Sequence, residues 1–296
     1  MELLIQTRMK QLKLLINVNQ NLNIEQEYLN AIQFVKLHYE NFPVLSFLLP
    51  KKLYKHVAII YKFARMADDI ADEGNLSINE REMQLDDYEK AFNDSLINKF
   101  ENDFWMTLSN TILTHNLSPH NFTKLLTAFR QDITKTRYST IDELLNYCEN
   151  SANPVGRIIL ELYGIKNDDA FYFSDKICIA LQITNFLQDV SLDFNKGRVY
   201  LPIEELNKFN VDENTFHLKE INSNFQKLMS YQVEYVSKYF DEGKKLLPFL
   251  PFRLKQQIKW TINGGQGILK KIINIDYNVL NFRPKFSKFE LFKLLF

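Results

Sequence analysis

Apolar residues recur at three- and four-residue spacing along most of the chain, and few of the stretches with this period contain a breaker. Such a period marks helices that bury one face. Placed against their start and stop signals, the stretches predict helices over 24–39, 51–73, 78–98, 101–115, 118–134, 141–150, 154–163, 168–195, 213–245 and 254–275. Three starts read as capping boxes: Asn23 with Gln26, Ser77 with Glu80, and Thr140 with Glu143. No run alternates in the way that predicts a β-hairpin or a βαβ unit. The stretch 79–99 is amphipathic, whereas 57–71 and 177–190 are apolar nearly all round, which predicts helices in the middle of a bundle. Residues 1–22 carry little pattern. No Ser/Gly-rich linker or internal repeat divides 23–296, so that span is expected to form one domain.

Composition narrows the class. Only 8 Gly and 8 Pro occur in 296 residues, which suits long helices. The 36 Lys and Arg balance the 36 Asp and Glu, and a chain with no basic surplus does not point to nucleic acid. Cys148 and Cys178 lie in apolar helical patterns and read as buried thiols rather than a disulfide framework. Glu2, Gln6, Arg8, Lys10 and Lys13 interrupt the first apolar residues, so neither a signal peptide nor a membrane span is expected there. A cytoplasmic protein follows, with peripheral contact at the inner face of the membrane as a variant. The closing stretch 281–296 mixes Phe and Leu with Arg283, Lys285, Lys288 and Lys293. It reads as a final helix capping the bundle, or as a segment resting on a membrane surface.

The two apolar segments nevertheless carry acids. At about 100° per residue, Tyr61, Arg65, Asp68 and Asp72 project at about 0°, 40°, 340° and 20°, forming one narrow polar stripe. Gln182, Asn185, Asp189 and Asp193 form a second by the same arithmetic. About four acid pairs at this spacing are expected by chance, and most acid pairs are solvated surface. The apolar surroundings distinguish these two, because a carboxylate in a bundle core is costly unless paired or bound to metal. Oxygen-only ligands on facing helices suit a hard divalent cation, and Mg²⁺ commonly shares its ligands with a substrate phosphate. The five histidines include no i,i+4 pair and fit no zinc pattern. Arg65, and Arg198 in the loop Gly197–Pro202 after the second stripe, are placed to fork onto diphosphate oxygens. Gly264, Gly265 and Gly267 match neither a P-loop nor a dinucleotide fingerprint and read as close helix packing.

The segments 40–53 (ENFPVLSFLLPKKL), 61–74 (YKFARMADDIADEG) and 185–202 (NFLQDVSLDFNKGRVYLP) resemble the squalene/phytoene synthase family. Glu40–Pro43, Ser151–Arg157, Asn185–Asp189 and Tyr277–Pro284 are similar to its hydroxysqualene synthase branch. The resemblance implies an all-α fold, a class I terpenoid synthase helical bundle around a central cavity. It implies Asp68 and Asp72 as one metal motif and Asn185, Asp189 and Asp193 as the other, with Mg²⁺ or, in its place, Mn²⁺. It also implies Ser46, Tyr61, Arg65, Arg198 and Tyr200 as diphosphate contacts, with Tyr138 nearby. Condensing members of the family usually carry Arg before the second-motif Asp, where this chain has Gln188. A neutral amide both donates to and accepts from water, so Gln188 is expected to help water capture.

The implied reaction is conversion of presqualene diphosphate to hydroxysqualene by ionisation, rearrangement and capture of water. Condensation of two farnesyl diphosphates, reductive formation of squalene and phytoene synthesis share the same residues. NADPH is not expected, since no dinucleotide fingerprint is visible. The other class of reading is a non-catalytic helical assembly factor, which has no physical need for two complete aspartate pairs. An isoprenoid diphosphate is the expected partner, with hand-over to other enzymes of the hopanoid or squalene route.

Overall fold

The computed structural model describes residues 23–38, 49–287 and 290. Helix α1 spans 23–37 and is followed by α2 (Lys51–Asp72), α3 (Ile78–Leu96), α4 (Asp103–His115), α5 (Pro119–Thr134), α6 (Ile141–Ser151) and α7 (Asn153–Leu162). Then come α8 (Asp168–Gln188), α9 (Val190–Asn195), α10 (Ile203–Lys208), α11 (Glu213–His217), α12 (Ser223–Gly243), a 3₁₀ helix at Lys244–Phe249, and α13 (Phe252–Asn274). Among the described residues extended pairing is limited to one isolated parallel bridge, Arg137 with Val199. No described helix is long and apolar enough to cross a membrane.

The chain falls into two compact units, Met1–Leu117 and Ser118–Phe296. The division falls where α4 ends on the left-handed Asn116 (φ 49°) and Pro119 opens α5. In the first unit, Phe63 of α2 lies edge-on or tilted against Tyr88 and Phe92 of α3 and Trp105 of α4, with ring centroids 5.3–6.3 Å apart. Tyr28 fastens α1: its hydroxyl lies 2.7 Å from the Thr111 hydroxyl and 3.3 Å from Nδ1 of His56. On α2, Leu53, His56, Val57, Ala58, Ile59, Phe63, Ala67 and Ala71 are buried, Tyr61, Ala64 and Met66 are half-buried, and no residue from 53 to 71 is exposed, whereas Asp72 is exposed.

The second unit contains an encased helix. α8 packs against α6, α7, α12, α13 and the 3₁₀ helix, and α12 makes its most extensive contact with it. Close approach explains the glycines of α13. A Cβ at Gly265 would strike the Phe240 ring, and one at Gly267 would come within 2.6 Å of Phe286.

Two long helices predicted from the pattern are broken. The segment 168–195 divides at Asp189 (φ −107°, ψ 16°), although Asp189 N–H to Asn185 carbonyl and Asp193 N–H to Asp189 carbonyl, both 2.9 Å, carry the ladder across the break. The segment 213–245 divides at 218–222, where Lys219 has φ 50° and Asn222 caps the next helix by accepting from the Phe225 N–H at 3.0 Å. The short α10 was not expected. Of the predicted capping boxes, Ser77 with Glu80 is complete. Thr140 accepts from the Glu143 N–H at 3.2 Å, while the Glu143 carboxylate turns to Lys135 and the Ser139 N–H. Of the closing stretch, residues 288–289 and 291–296 lie outside the described residues.

Candidate active site

The first stripe stands on α2, in the first unit. Arg65 reaches three acids, Asp68 at 3.3 Å, Asp69 at 2.7 Å and Glu73 at 2.5 Å. The i,i+3 and i,i+4 spacing of Asp68 and Asp69 puts them beside the guanidinium, which lies only partly exposed. Of these partners only Asp68 was singled out from the sequence; Asp69 and Glu73 were missed, although both lie within reach on helical spacing. Tyr61 is half-buried one turn before Arg65. Ser46 lies outside the described residues.

The second unit assembles the rest. Asn185 is exposed on the last turn of α8, Asp189 sits at the α8–α9 break, and Asp193 follows one turn on. Burial, and then the neighbouring Asp189, push the Asp193 carboxyl up to about 7, against the opposing pull of Lys196, Arg198 and Arg283. Arg283, a residue not assigned from the sequence, forks onto Asp189, with Nε to Oδ1 at 2.5 Å and Nη2 to Oδ2 at 2.9 Å. Gln188, immediately before, is buried, and its Nε2 donates to the Pro284 carbonyl. One of its two N–H donors is thus taken by the backbone beside Arg283.

The loop after α9 is strapped to the segment after α5. Val199 N–H bonds to the Thr136 carbonyl at 2.9 Å, Ile203 N–H to the Tyr138 carbonyl at 2.9 Å, and Arg137 Nη1 to the Gly197 carbonyl at 2.6 Å. This fastening sets Arg198, whose Nη2 donates to the Asp132 carbonyl at 2.9 Å. It also sets Tyr200, whose ring lies flat on Phe186 of α8 at 3.8 Å and 5°. Tyr138 stacks on Tyr200 at 5.7 Å, and Tyr147 of α6 closes the group, its hydroxyl donating to Asp132 Oδ2 at 3.0 Å. Burial raises the Tyr138 and Tyr147 hydroxyls above the ordinary phenol range, so both stay neutral. The result is an aromatic wall beside Asp189 and its helix. Ser151, one turn beyond Tyr147, and Asn153, at the start of α7, each have a buried oxygen that no protein group satisfies.

Among the described residues no three His, Cys, Asp or Glu side chains form a closed metal cage. The donors present are nevertheless all oxygens, and Asp189 and Asp193 lie close enough for each carboxylate to disfavour the other's charge. Such an incomplete oxygen set fits a hard cation that takes its remaining ligands from water and substrate.

The solved structures to which this all-helical chain is similar make it an isoprenoid synthase by fold. The family model described as squalene/phytoene synthase matches residues 35–290, and the chain belongs to that family of isoprenoid biosynthetic enzymes. The crystal structure of squalene synthase HpnC from Alicyclobacillus acidocaldarius has a TM-score of 0.82 and 32% identity, covering 87% of this chain and 97% of that one. Hydroxysqualene synthase from Sinorhizobium fredii is 39% identical over 169 residues, 56% of either chain, so the match spans little more than half of that relative. The 15-cis-phytoene synthase of a Synechocystis species is 27% identical over 274 residues, 88% of this chain and 81% of that one.

Proposed function

We propose that the protein converts presqualene diphosphate to hydroxysqualene. The observation that carries this reading is the adjacency of anion-binding and cation-stabilising groups in the second unit. Arg283 meets Asp189 on the helix whose Phe186 carries the Tyr200 ring. The similarity to hydroxysqualene synthases supports the choice of substrate.

The residues that would hold Mg²⁺ are Asp68 and Asp72 in the first unit and Asn185, Asp189 and Asp193 in the second. When bound, the metal supplies positive charge for a departing diphosphate. Arg198 and Arg283 receive diphosphate oxygens, which the planar guanidinium binds two at a time. The faces of Phe186, Tyr200 and Tyr138 stabilise the carbocation left behind without reacting with it, and burial keeps the Tyr138 hydroxyl protonated. Ser151 and Asn153 supply the unsatisfied oxygens that can hold the water consumed in the last step. Gln188 keeps Arg283 beside Asp189 through its bond to Pro284.

The test is Asp193→Asn and Asp72→Asn, assayed for diphosphate release from presqualene diphosphate. Asp193 already gives up charge readily and Asp72 is exposed, so both variants keep the melting temperature while turnover falls at least about a hundredfold. Near wild-type turnover in either would contradict the assignment.

A further inference from the structure

The segment at the 3₁₀ helix and the start of α13 is built to hold apolar rings in the open. Leu246, Leu250 and Leu254 are buried and anchor it, while Phe249 and Phe252 between them stand 38% and 75% exposed. Pro248 and Pro251 are exposed as well and stiffen the tip. Phe249 lies 6.2 Å from the Phe173 ring, beside the exposed Tyr172, so the patch extends onto the start of α8.

Its charge is one-sided in a chain whose net charge is zero. From Lys244 to Ile275 there are seven Lys and Arg and no Asp or Glu. Lys244 pairs with Asp241 at 2.7 Å and Lys271 with Glu290 at 2.6 Å, whereas Lys245, Arg253, Lys255, Lys259 and Lys270 have no ion pair among the described residues. At about 100° per residue, Phe252, Lys259, Asn263 and Lys270 fall on one stripe of α13, and all four are exposed. Glu242, the acid at the rim, accepts from the Tyr172 hydroxyl at 2.9 Å and faces Lys176 at 3.6 Å.

We propose that this face docks on an anionic lipid bilayer, with Phe249 and Phe252 entering the headgroup boundary and the basic stripe lying along the lipid phosphates. Exposed aromatics framed by Lys and Arg match that boundary in both polarity and sign. A second copy of this chain fits the face poorly, because a twofold contact would set two stripes of the same sign against each other. The inference stands on this surface and is independent of which isoprenoid the enzyme consumes.

The experiment is co-sedimentation of the full chain with vesicles of phosphatidylcholine alone or mixed equally with phosphatidylglycerol. The wild type pellets with the mixed vesicles, releases in high salt and stays in solution with phosphatidylcholine alone. F249S/F252S and K255E/K259E each lower the bound fraction at least about fivefold while melting as the wild type does. No binding to mixed vesicles, or wild-type binding by both variants, would overturn the proposal. A concentration-dependent dimer lost in F252S, without vesicle binding, would overturn it in favour of a second copy.

Discussion

Arg283 and Asp189 stand 94 residues apart in sequence and share two hydrogen bonds, 2.5 and 2.9 Å long. The guanidinium occupies both oxygens of an acid proposed to hold Mg²⁺, so it would compete with a bound cation for that carboxylate. Arg283→Ala is expected to lower the Mg²⁺ concentration for half-maximal turnover by a few-fold while cutting turnover at least about tenfold, in keeping with charged hydrogen bonds worth about 1.5–3 kcal/mol. A Mg²⁺ titration of diphosphate release reads both quantities. Unchanged values would remove Arg283 from the site.

Gln188 acts on the same contact from one residue away. Gln188→Leu removes the donor to the Pro284 carbonyl and is expected to lower stability by about 1–2 kcal/mol in chemical denaturation. If its effect on turnover runs through Arg283, Gln188→Leu adds little to Arg283→Ala in a double-mutant cycle. Full additivity would show that the two act separately.

This pair also shows what the sequence could and could not disclose. The polar stripes were legible because helical spacing is local, and α8 was recognised as an encased helix from its apolar residues alone. The break at Asp189 left no mark, since backbone bonds run across it and the spacing of Asn185, Asp189 and Asp193 is kept. Arg283 sat in a stretch already notable for its similarity to hydroxysqualene synthases, yet its partner is set by tertiary folding. The Pro284 carbonyl that accepts from Gln188 lies 96 residues away, beyond the reach of a local pattern. On α2, a pattern gives half-covered Tyr61 and Met66 the same weight as buried Phe63, so it ranks the apolar positions less finely than the structure does.

Ser151 and Asn153 test the last chemical step. With presqualene diphosphate as substrate, Ser151→Ala combined with Asn153→Leu is expected to shift product from hydroxysqualene toward elimination hydrocarbons by about tenfold, with diphosphate release falling less, because an unpaired water loses its hydrogen-bond partners. Gas chromatography of the lipid extract gives the ratio. A wild-type ratio would place water capture elsewhere.

His56 makes the first unit sensitive to acid. Burial, and then the facing His115 and Lys55, lower its pKa from 6.5 to about 4, with Glu25 acting the other way and Tyr28 and Thr111 contacting the ring. The unfolded chain therefore binds a proton that the folded one refuses between these values. Stability falls as pH drops from about 6.5 to about 4, by up to about 3 kcal/mol from this group. Urea denaturation across that window should show a smaller loss for His56→Gln than for the wild type, and equal losses would clear His56 of the effect.

Product analysis decides which reaction the protein performs. Purified protein with Mg²⁺ is incubated separately with presqualene diphosphate and with farnesyl diphosphate, with and without NADPH, in ¹⁸O-labelled water. The expected product from presqualene diphosphate is hydroxysqualene, carrying the label in its hydroxyl and formed equally without NADPH. Turnover of farnesyl diphosphate alone, a hydrocarbon that requires NADPH, or no turnover of either substrate would contradict it.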